Sequence, residues 1–240
     1  MECKLLNPRL KALVNRIDDR ALRKRVLELL ENPTFQINGK TYSGLPLEIA
    51  PAGLSHHHCY AGGFIEHTVS TAKIAMTMCD CVENIYSGKV NRDLVMAGVI
   101  VHDVFKTLTY SVNEHGSYFS TSLADRLDHL SLAVSELVRR EFPLDLIHVV
   151  SAHHGEYGPM RPRTIEALIC HLADLADSRL NGEVLDAAYY LMRRAHTPEL
   201  YGLDSKEAFE IVNSKTSEGW AGVNEAVEKI LLQRKRATLN

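Results

Sequence analysis

The sequence predicts a single all-α domain with a small β-hairpin near its N-terminus. Three observations carry this. Apolar residues recur at helical spacing through most of the 240 residues, capping residues stand where those runs begin, and an Asn-Gly pair divides a short extended stretch. The 45% apolar and 24% charged fractions suit a globular chain with a real core and argue against disorder.

The elements follow in order. Asn7-Pro8 sets a capping residue before a proline at the first helical position, and Leu10, Leu13, Val14 and Ile17 recur behind it. Asp18-Asp19 interrupts the run, Leu22, Val26, Leu29 and Leu30 resume it, and Asn32-Pro33 stops it. TFQINGKTY (34–42) reads as a hairpin turning at Asn38-Gly39. Residues 43–62, with Pro46, Pro51 and several glycines, are expected to be irregular.

From Gly63 helices return, with Phe64, Val69, Ala72, Met76 and Cys79 on one face and Glu66 and His67 near the start. LVMAGVIV (94–101) has the composition of a buried strand, but Asn91 as a cap and Asp93 in the first turn favour a helix. Leu127, Leu130, Val134, Leu137 and Val138 make another helix, ended by Phe142-Pro143. One more covers 144–154, before the loop GEYGPMRP. Thr164 opens a helix through Leu168, Leu172 and Leu175, and weaker patterns occupy 183–195, 205–213 and 219–234. Residues 1–54 are expected to be an extension of helix and hairpin packed on a core domain of 55–240, without internal repeats.

Several functional classes are disfavoured. No stretch approaches ~18 uncharged apolar residues, so no membrane span is expected. The first residues lack the apolar segment of a secretory signal. A net charge of −3 offers no electrostatic case for duplex DNA. The five cysteines (Cys3, Cys59, Cys79, Cys81, Cys170) form no CxxC pair and read as reduced thiols of a cytoplasmic protein.

The twelve histidines are out of line with the rest. His67 starts one helix, His102-Asp103 ends the next with Lys106 three residues on, and His129 lies on the following one. His153-His154 then ends a helix, and Asp174 stands three residues after His171 on a later one. Successive helices thus each supply a nitrogen or carboxylate, which is how a bundle builds a metal site in its core. Such ligands suit two divalent transition metals (Mn, Fe, Co, Ni or Zn) better than Mg, and Asp103 has the chemistry to bridge them. Lys106 shares its face and suits a phosphate. A single histidine on a helix carries no such weight: His115, His148 and His196 are read as ordinary. The ordered combination carries the argument.

These residues resemble the HD-domain superfamily of metal-dependent phosphohydrolases through His67, the HDVFK segment (102–106) and Asp174. HHHCYAGGFIEHT, NRDLVMAGVIVHDVFKT, SAHHGEYGPMRPRTIEAL and CHLADLADSRLN are similar to segments of the YhaM-type 3′–5′ exoribonucleases and their HD-only relatives. The resemblance implies an HD-type helical bundle with His67, His102, Asp103, His129, His153, His154 and Asp174 as metal ligands. It implies catalytic roles for Asp103 and Lys106, and substrate contacts from His57, His58, Lys106 and Arg161, with Arg163 a further candidate. The activity implied is cleavage of phosphomonoesters or phosphodiesters of nucleotides or short oligonucleotides by a metal-activated hydroxide. A non-catalytic metal- and nucleotide-binding sensor or scaffold is the alternative, and a structural zinc protein the third reading. Self-association is left open.

Departures from the family pattern are specific. The oligonucleotide-binding barrel of the YhaM-type enzymes has no counterpart in the helix and hairpin expected before residue 55. Val104-Phe105 replaces the usual aliphatic-Gly pair and is expected to set a ring beside the metals. GEYGPM stands where the cyclic-dinucleotide branch has its GYP motif. His56 reads as a bystander, His171 as core or support, Asp177 as a helix hydrogen bonder and Glu66 as a first-turn charge. Tyr110 and Tyr118 read as packing residues.

Overall fold

The chain begins as its caps predict. In the structure, a computed structural model that describes residues 6–198 and 200–237, the Asn7 side chain accepts the Arg9 N–H ahead of α1 (Pro8–Val14). Asp19 accepts the N–H groups of Ala21 and Leu22 to start α2 (Arg20–Glu31). Strands β1 (Thr34–Ile37) and β2 (Lys40–Ser43) pair antiparallel, with Ile37 opposite Lys40. Asn38 and Gly39 between them have φ of 50° and 73°, the left-handed pair that a two-residue hairpin turn needs.

Helix α4 (Arg92–Val101) is the centre of the bundle: every residue from Leu94 to Val101 is buried. That explains its strand-like composition, since a helix enclosed on all sides has no polar face to show. Asn91 caps it by accepting the Leu94 N–H at 3.1 Å. Around it pack α1, α2, α3 (Gly63–Asn84), α7 (Leu144–Ser151) and α8 (Ile165–Ala195), with α6 (His129–Arg139) beside α7. Leu10, Leu29 and Phe35 share one apolar core with Phe64, Val99 and Leu132.

Glu136 on α6 ties the hairpin to this core. Its carboxylate is almost fully buried and accepts the Gln36 N–H at 3.0 Å and the guanidinium groups of Arg139 and Arg140. Arg140 in turn donates to the carbonyls of Asn32 and Thr34. Burial opposes the charge on Glu136, but Arg139, the Gln36 amide and Arg140 outweigh it and hold the carboxyl below its usual range. Glu136→Gln is therefore expected to cost about 2 kcal/mol at pH 7. A depressed folded-state pKa stabilises above the ordinary glutamate value, and that stability fades as pH falls through the depressed one. Melting temperatures of parent and variant should converge in acid; a constant gap between pH 7 and 3 would contradict this account.

The structure departs from expectation in several places. A second antiparallel pair, β3 (Tyr110–Val112) with β4 (Tyr118–Ser120), follows the short helix α5 (Lys106–Thr109). The Tyr118 hydroxyl there donates to the Ile49 carbonyl, which fastens the hairpin to the irregular segment.

Helix α8 runs unbroken through the lapse in apolar pattern at 176–182. Asn181-Gly182 stays helical because the segment before α3 uses both residues: Asn181 takes a hydrogen bond from His58, and a Cβ on Gly182 would lie 2.9 Å from the His56 carbonyl oxygen. The 205–213 and 219–234 patterns fall in α9 (Ser205–Ala237), which is two helical arms meeting at a kink where Gly219 has a non-helical φ of 70° and ψ of −148°.

The leucine stripe of α8 also faces the wrong way for a core. Leu168, Leu172 and Leu175 are 36–41% exposed, while Ala167, Cys170, Ala173 and Asp177 turn inward. Val138 is exposed as well. The inner face of α8 is kept small and polar because it carries ligand-type residues. A separate apolar cluster, including Leu185, Met192, Ile211, Val227 and Ile230, joins the second half of α8 to α9. Among the described residues no helix is long and apolar enough to cross a membrane. Cys59, Cys79, Cys81 and Cys170 carry free thiols, and Cys3 lies outside the described residues.

Candidate metal centre

The end of α4 delivers His102 and Asp103 into the interior, both essentially unexposed. His67 comes from the second turn of α3 and is likewise buried. His129 is the first residue of α6, behind an Asp128 cap that accepts the Ser131 N–H. His153 and His154 follow α7, and Asp174 and Asp177 lie three apart on α8, where side chains share a face. All seven residues expected in the cluster meet in one place.

Asp103 stands between two groups of ligand-type atoms. Its Oδ2 is 3.5 Å from Nε2 of both His67 and His102, and Asp174 Oδ1 is 3.2 and 3.6 Å from the same nitrogens. Its Oδ1 is 3.5 Å from His129 Nε2 and 3.7 Å from His153 Nε2. His154 completes this second group, its ring centroid 4.0 Å from that of His153 and 5.0 Å from that of His129. Either group places its ligand atoms within 4.8 Å of one another, close enough for one ion.

Hydrogen bonding shows which nitrogens are available. His102 Nδ1–H donates to the Val99 carbonyl at 2.8 Å and His153 Nδ1–H to the Val150 carbonyl at 2.6 Å. Carbonyls only accept, so in the neutral rings Nε2 carries the lone pair that a metal needs. The Asp177 carboxylate sits 2.7 Å from His67 Nδ1 and orients the third ring in the same way. Nε2 of His67 and of His102 then face each other at 3.3 Å, an arrangement that calls for a cation between them. Asp103 Oδ1 and Nε2 of His129 and His153 are buried without a hydrogen bond, and Asp103 Oδ2 has the Lys106 ammonium beside it. Buried polar atoms are rarely left so, and divalent metal ions fit this donor set.

The electrostatics agree with the geometry. Burial opposes charge on His67, yet Asp103, Asp174 and Asp177 hold its pKa well above the usual value, so the position favours a cation. Burial likewise opposes ionisation of Asp103, but Lys106 and His102 keep its carboxyl well below the usual range. Burial pushes His129 down to about 4 and His153 well below its ordinary value, which leaves both rings neutral and fit to ligate. Lys106, the first residue of α5, places Nζ 2.7 Å from Asp103 Oδ2 and is held charged by Asp103 and Asp174 against the cost of burial.

The flanking residues divide. His57 is half-buried with its ring centroid 5.1 Å from that of His67, whereas His58 is 2% exposed and packed among His57, Tyr60 and His67. Burial lowers their pKa values to about 4 and about 3. Arg161 is exposed in the loop between a 3-10 turn (Gly155–Tyr157) and α8, and meets no partner among the described residues. The Arg163 N–H donates to His148, which makes that histidine a loop anchor. His115 and His196 are exposed. Phe105 is wholly buried in the main core rather than standing in the open site, so it obstructs no approach.

Of two supporting residues, Asp177 has a different role from the one its sequence position suggests, and His171 is a support, as its position suggests. Asp177 does not serve its own helix but orients His67, 110 positions away. His171 donates from Nδ1 to the His153 carbonyl at 2.7 Å, and Gly155 is required beside it, because a Cβ there would lie 2.3 Å from the His171 ring. The only available signal was spacing: Asp174, Asp177 and His171 recur at helical intervals on one face.

A profile of the HD domain matches residues 64–179. A dihydroneopterin 2′,3′-cyclic phosphate phosphodiesterase of Methanocaldococcus jannaschii is 42% identical over 205 residues, covering 85% of this chain and 80% of that protein. The 3′–5′ exoribonuclease YhaM of Listeria innocua is 32% identical over 171 residues, and that of Bacillus licheniformis 30% over 177. These cover 66% and 69% of this chain but 52% and 54% of the exoribonucleases, so the chain spans about half their length. No solved structure matches the chain.

Proposed function

The chain belongs to the HD-domain superfamily of metal-dependent phosphohydrolases, and from that premise we propose that it is a phosphodiesterase opening 2′,3′-cyclic phosphates of small nucleotide-type molecules. The observation that carries the chemistry is the pair of ligand groups joined through the two oxygens of one buried aspartate. The substrate reading rests on the match to the dihydroneopterin cyclic phosphate enzyme along four-fifths of its length.

In this reading His67, His102, Asp103 and Asp174 would hold one ion, and His129, His153 and His154, together with Asp103, would hold a second. The donors suit Mn, Fe, Co, Ni or Zn better than Mg. When bound, the ions supply Lewis acidity and make a water acidic enough to act as nucleophile. Water adds to phosphorus and one ring P–O bond breaks, giving a phosphomonoester and a free hydroxyl. Lys106, a partly exposed cation beside Asp103, binds a phosphoryl oxygen and offsets charge that grows there in the transition state. Asp177 fixes the His67 ring, and the His102 and His153 rings are fixed by backbone carbonyls. His57 forms the substrate edge with His58 behind it, and Arg161 reaches the substrate from its loop. The free thiols are in keeping with a cytoplasmic setting.

The test is a substrate panel on metal-replete protein after elemental analysis, with each of Mn, Fe(II), Co, Ni, Zn and Mg. Guanosine and adenosine 2′,3′-cyclic phosphates, dihydroneopterin 2′,3′-cyclic phosphate, a phosphomonoester and a short RNA form the set. Hydrolysis of a 2′,3′-cyclic phosphate as the preferred reaction is expected. Shortening of RNA from its 3′ end, with the cyclic phosphates untouched, would replace this reading with an exonuclease.

A further inference from the structure

We infer that Asn181 is a positioning residue for substrate: supported by Ser205 and Tyr60, it holds the backbone loop that presents His57 beside the metal centre. The inference rests on the reading of His57 as a substrate contact. His57 is half-buried beside the exposed His56, and both line a surface cleft with Ser178, Arg179, Glu183 and Asp186 while the His57 ring adjoins His67.

The loop does not hold this shape unaided. His56 and His58, on either side of His57, have φ of 75° and 46°. Both lie in the left-handed region, which is costly for a residue with a Cβ and persists only where the surroundings impose it. Asn181 Oδ1 accepts the His58 N–H at 2.6 Å, and the His58 carbonyl accepts the Ala52 N–H at 3.1 Å. The amide of Asn181 is itself fixed, because Nδ2 donates to Ser205 Oγ at 2.8 Å and the Tyr60 hydroxyl is 2.5 Å from the same oxygen. Asn181 is only 5% exposed, so no water stands ready to replace a lost partner. The His57 ring then leans on His58, with their Nδ1 atoms 3.2 Å apart.

The position of these residues gives the inference its content. Asn181 and Ser205 lie beyond residues 64–179, the part that matches the HD domain. Ser205 opens α9, whose apolar cluster with the second half of α8 is separate from the main core. The C-terminal helices therefore do more than pad the bundle: they hold one wall of the substrate site from beyond the residues that match the HD domain.

The experiment compares Asn181→Ala, Ser205→Ala, Ser205→Thr and His57→Ala in the full chain, with guanosine 2′,3′-cyclic phosphate as the probe. Metal content and melting temperature are recorded beside kcat and KM. Loss of one buried hydrogen bond to the loop predicts a KM for Asn181→Ala raised roughly tenfold, with kcat and metal content near parental. Ser205→Ala should shift KM the same way by less, and Ser205→Thr, which keeps the hydroxyl, should restore it. His57→Ala should also raise KM, and adding Asn181→Ala to it should raise it no further, because the two changes remove one interaction. If His57→Ala raises KM while Asn181→Ala only lowers the melting temperature, the positioning role is wrong. If His57→Ala leaves KM unchanged, the substrate reading of the loop fails and the inference goes with it. Should Asn181→Ala not fold, the contrast between alanine and threonine at Ser205 decides, equal KM values overturning the proposal.

Discussion

An Asp103→Ala enzyme is expected to hydrolyse its phosphodiester at least about a thousandfold more slowly than the parent, since several kcal/mol of metal-derived transition-state stabilisation is worth that much in rate. Among the described residues Asp103 alone turns its two oxygens to the two groups, one toward His67 and His102 and the other toward His129 and His153. Removing it takes a ligand from both groups and leaves Lys106 without its nearest counter-charge. The variant should fold with a lowered melting temperature, because the bundle loses the ion pair between Asp103 and Lys106. Elemental analysis alongside single-turnover rates checks the point. A variant that kept two ions and the parental rate would remove Asp103 from the centre.

The second large effect separates the two halves. His67→Ala should empty the group formed with His102 and Asp174, and His153→Ala the group formed with His129 and His154, so that either variant retains one ion per chain. Rates should fall in both by a factor on the order of a hundred or more, because Lewis-acid stabilisation from one of two ions is lost. Asp177→Asn is the graded companion. It keeps His67 but removes the carboxylate 2.7 Å from its Nδ1, which should weaken metal affinity at that half by about 10–100-fold. Native mass spectrometry and competition titration read these stoichiometries directly. Two ions retained in His153→Ala would show that the second group is not a metal site.

How far the sequence could be read depended on the range of each interaction. Caps and turns were legible because they are local: Asn7, Asn91 and Thr164 each bond a backbone N–H within three residues, and Asn38-Gly39 turns the hairpin between adjacent strands. The leucines of α8 misled because periodicity shows that a face exists but not which way it turns. Its inner face is occupied by Asp174, Asp177 and Asn181, so the large apolar residues were left outside. Phe105, expected beside the metals, is in the core for the complementary reason: residues 102–106 turn at the end of α4, which sends Asp103 to the cluster and the aromatic ring to the interior.

By itself the sequence determined the helical class, the order of the elements and the set of ligand-type residues, since those are properties of residue type and short spacing. Only the tertiary structure decided that Asp103 faces two groups at once, that Asp177 serves His67, that His58 is enclosed while His57 is not, and that Asn181 reaches back across the bundle. Each of these joins residues far apart in the chain, Asp177 to His67 over 110 positions and Asn181 to His58 over 123. Such contacts are made by the packing of helices against one another, and no local pattern encodes the angle at which two helices meet.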